Sequence, residues 1–260
     1  MANLFCCITV IFLAIGSFHF PEVQAKLKIT NGEEVTPHSM PYVVALQAII
    51  QGKAIQCGGS LVKTNKILTA ASCVYEATNV TVTLGAHNLD ENEETQVKIE
   101  VTNVTIHENY DPDKHYNDLA VINLDSPVEL NAAMSTIPTP TLSDIIETYA
   151  DELGIVAGWG KLDTTNATYS PVLRKMDATI IPFLACTISY LGQVHMNQIC
   201  TTGMQDGRNI CTGDAGSPLI VNGTQVGVVS YGSVLGCNVG FPGVHTRLTS
   251  FYFWLENHLQ

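Results

Sequence analysis

Short hydrophobic segments rich in Val, Ile and Thr recur along this chain of 260 residues, and Gly, Pro and Asn separate them. Short segments of this kind between turn-forming residues are typical of β-strands, whereas a helix needs a longer run with apolar residues three and four apart. Clear examples are residues 41–46, 80–84, 119–124, 154–159 and 226–230. The pattern predicts an all-β protein built from many short strands.

A helical pattern is clear only at the C-terminus. Offsets of three, four, seven and eight residues place one set of side chains on a single side of a helix. That set is Phe251, Trp254, Leu255, His258 and Leu259. Upstream, residues 131–141 contain Pro138 and Pro140 and follow neither period. We therefore expect two β units, a linker at about residues 131–150 between them, and a terminal α-helix.

The N-terminus has the features of a secretory signal. Residues 4–18 form one apolar run, and small residues before a cleavage site follow at Val23 and Ala25. A membrane anchor or a buried helix is the alternative, but the run is shorter than the ~20 residues that a bilayer requires. We expect residues 1–25 to be removed after Ala25, and the remaining chain to be secreted, extracellular and free of membrane association.

The cysteines and the glycosylation motifs agree with secretion. Of eight cysteines, Cys6 and Cys7 lie in the signal, which leaves an even number, six. Disulfides are expected from them rather than a metal site, since no two are spaced C-x-x-C. Motifs for N-glycosylation begin at Asn79, Asn103, Asn166 and Asn222. The net charge of −12 disfavours nucleic acid as a partner.

Two motifs resemble the catalytic signatures of the chymotrypsin-like serine proteases. Residues 69–73 read T-A-A-S-C where the family has T-A-A-H-C, and residues 213–218 read G-D-A-G-S-P where it has G-D-S-G-G-P. Other segments resemble family landmarks in the same order: residues 29–32 (I-T-N-G), 57–61 (C-G-G-S-L), 117–120 (N-D-L-A), 158–160 (G-W-G), 230–232 (S-Y-G) and 242–247 (P-G-V-H-T-R).

The resemblance implies an architecture and a maturation step. The fold would be two six-stranded antiparallel β-barrels with the cleft between them and a C-terminal α-helix, in one domain at residues 29–260. Residues 26–28 would be a short propeptide, similar to those of insect digestive or salivary proteases, with cleavage after Lys28 to free Ile29. The implied disulfide pairs are Cys57 with Cys73, Cys186 with Cys200, and Cys211 with Cys237.

The resemblance also implies that the reaction is missing. Acyl transfer in this family needs a serine nucleophile, a histidine base and an aspartate that orients the histidine. Asp118 matches the aspartate, but Ser72 stands at the base position and Ala215 at the nucleophile position. A serine hydroxyl is a very weak base, and alanine has no nucleophilic atom.

Nearby residues offer no obvious replacement. Ser217 lies two positions beyond Ala215, about 6.6 Å away in an extended strand, which is too far to reach the same carbonyl. His115 and His87 are expected to be surface residues on loops rather than catalytic bases.

Several other features of the family cleft are retained. By resemblance, Ser230 would hydrogen-bond Asp118, and Asp214 would pair with the freed amino group of Ile29. The oxyanion hole would be formed by the backbone N–H groups of Gly213 and Ala215, which need no particular side chain.

The specificity pocket resembles an open one with an uncharged floor. Asn209 matches the base position, where trypsin-like members have aspartate, and Gly232 and Gly243 match the wall glycines. A preference for large apolar groups over Lys or Arg follows from that match.

An acidic loop lies where trypsins often bind calcium. It contains Asp90, Glu91, Glu93 and Glu94. Ala86 stands at the first ligand position, so we expect a solvated loop without a metal; calcium, a cation that favours carboxylate oxygens, is the alternative.

These residues support two hypotheses about function. The first is a secreted, monomeric homologue without cofactor or metal, which binds a protein or peptide, such as a protease inhibitor or a protease, and does not cut it. The second is a serine endopeptidase, as family membership alone implies.

Overall fold

A computed structural model of the chain describes residues 32–164, 168–203 and 209–260. The expected signal at residues 1–25, the propeptide at 26–28, the cleavage site at Lys28 and Ile29, and the glycosylation motif at Asn166 lie outside the described residues. None of the helices within the described ranges is long and apolar enough to cross a membrane.

The first barrel is one antiparallel sheet. Its strands are β2 (Val43–Ile50), β3 (Lys53–Lys63), β4 (Lys66–Thr69), β5 (Ala77–Leu84), β6 (Val97–Val101), β7 (Asn103–Ile106) and β8 (Ala120–Asn123). They are ordered β6-β5-β2-β3-β4-β8-β7. Only Thr102 separates β6 from β7, so these two form one broken strand that links the two edges of the sheet.

The second barrel closes through direct pairing of its strands. They are β9 (Leu153–Gly158), β10 (Arg174–Ile181), β11 (Gln198–Thr201), β12 (Pro218–Val221), β13 (Thr224–Tyr231) and β14 (Gly243–Arg247). In the order β10-β11-β14-β13-β12-β9 the two end strands also pair with each other, and the short β1 (Glu33–Glu34) adds to β10. The prediction of two antiparallel six-stranded barrels is confirmed.

Two hairpins owe their tight turns to specific residues. Gln51 and Gly52 between β2 and β3 have φ of +50° and +74°, and Asn222 and Gly223 between β12 and β13 have +48° and +79°. Two successive positive φ values give a turn whose twist matches that of the paired strands, and Asn and Gly tolerate it best. These turns fix the register of both hairpins.

The C-terminal helix packs on the first barrel, although the second barrel directly precedes it in the sequence. A 3-10 turn at Leu248–Phe251 leads into α2 (Tyr252–His258). Phe251, Leu255 and Leu259 are buried in the core of the first barrel, as the helical spacing predicts. Burial of each such side chain stabilises the fold by about 1.5–3 kcal/mol.

A second helix, α1 (Phe183–Ser189), does not follow from the sequence pattern. Its only buried residue is Cys186, and apolar Leu184 and Ile188 are largely exposed, so no apolar stripe marks it. A disulfide from Cys186 to Cys200 joins α1 to β11. The other two disulfides join Cys57 to Cys73 and Cys211 to Cys237, and all three match the implied pairs.

The segment between the barrels is anchored rather than loose. Ala133, Met134 and Ile137 are buried, and the Asn131 side chain accepts hydrogen bonds from the N–H groups of Ala133 and Met134. A short 3-10 turn at Leu142–Asp144 follows before β9 begins.

Candidate functional site

Asp118 lies at the junction of the two barrels, just before β8, and is fully buried. One carboxylate oxygen accepts the N–H of Ser72 at 2.8 Å. The other accepts the hydroxyls of Ser72 at 3.0 Å and of Ser230 at 2.6 Å. Burial raises the pKa of Asp118, although these hydrogen bonds oppose the rise. The carboxylate is thus held by donors from both barrels.

Ser72, at the position that the family resemblance assigns to the base, donates its hydroxyl proton to Asp118. It sits in the 3-10 turn Ala71–Cys73, which begins after β4 and is tied to β3 by the Cys57–Cys73 disulfide. Its hydroxyl proton is directed at Asp118. In this arrangement Ser72 completes the hydrogen bonding of the carboxylate and has no basic nitrogen to remove a proton from a nucleophile.

The His115 side chain lies near the carboxylate of Asp118. Its Nδ1 is 3.9 Å from the Asp118 Oδ2 atom, beyond hydrogen-bonding distance, and its ring lies 5.6 Å from that of Tyr231. The backbone has φ of +52°, and its carbonyl accepts the side-chain amide of Gln198. The imidazole therefore lines the cleft, with 39% of the side chain exposed. The sequence-based expectation placed His115 on a surface loop, and no periodic pattern in the sequence marks this position.

His87 is buried, which contradicts its predicted place on the surface. Its residue exposure is 6%, its Nε2 lies 3.3 Å from Glu34, and its carbonyl accepts the indole N–H of Trp159. These contacts give His87 a structural role beside the β1 strand, and it does not line the cleft cavity.

The backbone around Ala215 forms a sharp turn. Its carbonyl accepts the N–H of Gly58 from the first barrel at 2.7 Å. Gly213 has φ of +99°, and a Cβ there would lie 2.7 Å from the Tyr169 ring, so only glycine fits. Among the described residues, the N–H groups of Gly213 and Ala215 donate no hydrogen bond. Both residues line the cleft, where an oxyanion or carbonyl oxygen would meet these donors.

Asp214 is buried behind this turn. Its two carboxylate oxygens accept the N–H groups of Gly160 at 3.0 Å and Cys211 at 2.9 Å. Burial raises the pKa of Asp214 to about 6, against the effect of these two donors. The expected partner, the amino group of Ile29, lies outside the described residues.

Ser217 points away from the cleft. It is fully buried, does not line the cavity, and its hydroxyl has no hydrogen-bond partner among the described residues. The oxygen lies against Gly58 and Gly158, where a methyl group on either glycine would clash with it. This position separates Ser217 from any ligand in the cleft.

Gly232 of the predicted specificity pocket lines the cleft cavity, and Ile210 narrows the space between Gly232 and Gly243. The Ile210 side chain lies between the two glycines: a Cβ on Gly243 would lie 3.0 Å from its Cδ1, and one on Gly232 would lie 3.7 Å from its Cγ1. Asn209 is buried beneath, and only Ile210 of the two lines the cavity. Gly232 and Gly243 are present, and the Ile210 side chain reduces the space that they leave.

The cleft cavity has a volume of about 620 Å³ and lies between the barrels. Ser72, His115, Ala215 and Ser230 line it. A second cavity of about 710 Å³ adjoins it at His115 and Tyr231, and its wall includes the rings of Tyr190 and Phe241. The two cavities share His115, Tyr231 and Gly232 in their walls.

In the acidic loop, the Glu93 carboxylate accepts hydrogen bonds from neighbouring residues of the chain. Glu93 accepts the N–H groups of His87 at 2.7 Å and Asn88 at 3.0 Å, and the side-chain amide of Gln96. Burial opposes ionisation, but these hydrogen bonds lower the pKa of Glu93 overall. Within the described ranges, no group of three His, Cys, Asp or Glu side chains is arranged to hold a metal ion.

Three glycosylation motifs fall on accessible positions. The asparagines concerned are exposed: Asn79, Asn103 and Asn222. Asn222 is in the tight turn after β12, and the other two lie in β5 and β7 of the first barrel. Glycans at these positions stay a prediction.

Two closed antiparallel barrels, three disulfides and a buried aspartate at their junction define a chymotrypsin-like serine protease fold. Residues 29–255 match the sequence family described as Trypsin. The chain belongs to this family.

Named relatives and a solved structure cover nearly the same length. Chymotrypsin of Phaedon cochleariae is 38% identical over 238 residues, which is 92% of this chain and 84% of that protein. Brachyurin of Leptuca pugilator is 40% identical over 230 residues, 88% of this chain and 97% of that protein. A solved structure of HL collagenase has a TM-score of 0.80 and 30% identity, over 88% of this chain and 97% of that one.

Proposed function

We propose that this chain is a secreted, non-catalytic member of the family that binds a protein or peptide segment in its cleft and leaves it intact. The observation that carries the proposal is the pairing of Ser72 with Asp118 across from Ala215: the base position holds a hydrogen-bond donor, and the nucleophile position holds a methyl group.

The size of the catalytic loss supports this proposal. In a related triad, removal of the serine or of the histidine alone lowers turnover by about 10⁶, which is roughly 8 kcal/mol of transition-state stabilisation. His115 does not offset this loss, because a base beside Asp118 has no serine hydroxyl at position 215 to activate.

The remaining groups of the site favour binding. The free N–H groups of Gly213 and Ala215 can hold a carbonyl oxygen of a bound segment, and the adjoining cavities give it a groove between the barrels. Disulfide-linked cysteines fit an extracellular location. A protease inhibitor with an extended loop, or a protease, is the partner class that fits this groove, with the chain acting as a monomer.

The relatives' names favour the second candidate, a serine endopeptidase, since chymotrypsin, brachyurin and trypsin are names of proteases. A fluorophosphonate probe separates the two candidates because it labels only an activated serine. We expect no labelling of the protein cleaved after Lys28. Covalent labelling, with the modified residue located by mass spectrometry, would overturn the non-catalytic proposal.

A second test restores a histidine at position 72 and a serine at position 215. The double variant Ser72→His/Ala215→Ser should hydrolyse peptide amides and react with the probe. The single variants Ser72→His and Ala215→Ser are the controls and should stay at least a thousandfold less active, because the nucleophile and the base act as a unit. Equal activity of Ala215→Ser and the double variant would show that another base serves the site.

Binding itself is measured with canonical-loop protease inhibitors. We expect calorimetry to show that the wild-type protein binds such an inhibitor. The loop of the inhibitor should stay uncut over days. Binding to no inhibitor of this kind, by protein cleaved after Lys28 and correctly folded, would contradict the proposed function.

A further inference from the structure

Ile210 changes the shape of the pocket beside Ala215. It lies directly before Cys211, whose disulfide to Cys237 fixes the backbone of this wall. The side chain is 3% exposed and packs in the core of the second barrel. It nevertheless lines the cleft cavity and lies within 3.0–3.1 Å of the Cβ position of Gly243.

The opposite wall is close as well. A Cβ on Gly232 would lie 3.7 Å from the Ile210 Cγ1 atom and 4.0 Å from its Cδ1 atom, which is ordinary van der Waals contact. A branched aliphatic side chain therefore takes up part of the space that two glycines would leave for an aromatic ring. A ring entering there would have to displace a buried residue in a close-packed core.

The polar floor is also out of reach. Asn209 is 1% exposed, its amide donates to the carbonyl of Phe241 at 2.9 Å, and its side-chain oxygen accepts the N–H of Ile210. The residue that covers Asn209 is apolar, so a Lys or Arg side chain would lose hydration against Ile210 and gain no charge partner from it.

We infer that Ile210 sets the specificity of the cleft for a small apolar side chain, such as Ala or Val, and excludes aromatic and cationic ones, an inference that rests on the proposed function. Ligand segments with a small residue at this point would fit between Ile210, Gly232 and Ser230 without displacing core atoms.

The test uses one canonical-loop Kunitz inhibitor in which only the residue that enters the pocket is varied to Ala, Val, Phe or Lys. Dissociation constants are measured by calorimetry with wild-type protein cleaved after Lys28. We expect the Ala and Val forms to bind roughly tenfold to a hundredfold more tightly than the Phe and Lys forms, in the range that one or two methylene groups change in a pocket.

Two substitutions connect the ranking to Ile210. Ile210→Ser should tighten binding of the Phe form at least tenfold, and Ile210→Val should give an intermediate ranking in a core that keeps a β-branched residue. Ile55→Ser makes the same chemical change at another residue that lines the cavity, from β3, and should leave the order unchanged. Thermal unfolding of each variant checks that it is folded.

The outcomes separate the inference from the function. Tight binding of the Phe form by the wild-type protein, with weak binding of the Ala and Val forms, would overturn the inference about Ile210 and leave the binding function intact. Binding of none of the four forms would overturn the proposed function, and the inference with it. A ranking that Ile55→Ser changes as much as Ile210→Ser would assign specificity to the cavity as a whole and also overturn the inference.

Discussion

At the scale of residues, Asp118 is held by hydrogen-bond donors from both barrels. Its carboxylate accepts hydrogen bonds from Ser72 in the first barrel and Ser230 in the second, and its backbone carbonyl accepts the hydroxyl of Thr246 at 2.7 Å. Removal of the carboxylate would leave the donors of Ser72 and Ser230 unpaired, at a cost of about 1–3 kcal/mol for each group, whereas the Thr246 bond to the backbone would remain. Stability of the barrel junction is thus sufficient reason for an aspartate at this position.

Asp214 gives a pH dependence whose sign can be worked out. Its pKa is about 6 in the folded chain against an ordinary value of 3.8, so the folded state binds the proton more tightly than the unfolded state. Stability should therefore fall as pH rises from about 4 to about 6, by about 3 kcal/mol in total. Asp214→Asn keeps the site neutral, so its stability relative to wild type should increase by that amount over the same range.

Urea unfolding of the uncleaved chain and of Asp214→Asn, at intervals from pH 4 to pH 7, measures this difference. The other carboxyl groups are common to both proteins and cancel in the comparison. A difference in the free energy of unfolding that stays constant with pH would contradict the raised pKa of Asp214.

At the scale of elements, the C-terminal helix α2 depends on one apolar face. Leu255 is 3% exposed in the core of the first barrel, whereas Phe253 of the same helix is 69% exposed. Leu255→Ala should lower the free energy of unfolding by about 2–5 kcal/mol through lost burial and a residual cavity. Phe253→Ala is the matched control and should change it by less than about 0.5 kcal/mol. Chemical denaturation measures both, and equal effects would show that α2 is not docked by this face.

Elements with a periodic or bounded sequence pattern are the ones that the sequence predicts. The face of α2 was recognisable because its buried residues repeat with the helical period, and the strands because their segments are short and bounded by turn residues. Helix α1 was missed because a single buried residue, Cys186, makes no period. The packing of Ile210 near Gly232 and Gly243 and the burial of His87 depend on contacts between distant or non-periodic residues, which local patterns do not encode.

At the scale of the whole molecule, side-chain hydrogen bonds join the two barrels. The Ser60 hydroxyl in β3 donates to the side-chain oxygen of Gln225 in β13 at 2.6 Å, and both residues are fully buried. The Gln56 side-chain amide donates to the carbonyl of Trp159, also from one barrel to the other. Such bonds hold the two walls of the cleft in fixed relation, so the barrels should unfold as one cooperative unit.

Ser60 and Gln225 test this coupling directly. Ser60→Ala leaves the buried amide oxygen of Gln225 without its donor and should cost about 1–3 kcal/mol. Gln225→Leu should cost a similar amount, because it leaves the Ser60 hydroxyl unpaired and also removes the amide N–H bond to the carbonyl of Gly227. The double variant should lose less stability than the sum of the two single losses, by about 0.5–3 kcal/mol, because the bond between Ser60 and Gln225 is lost only once. Thermal and urea unfolding with probes in each barrel measure both the cycle and the cooperativity. Additive losses, or two separate transitions in the wild-type protein, would show that the barrels are stabilised independently and that this bond does not couple them.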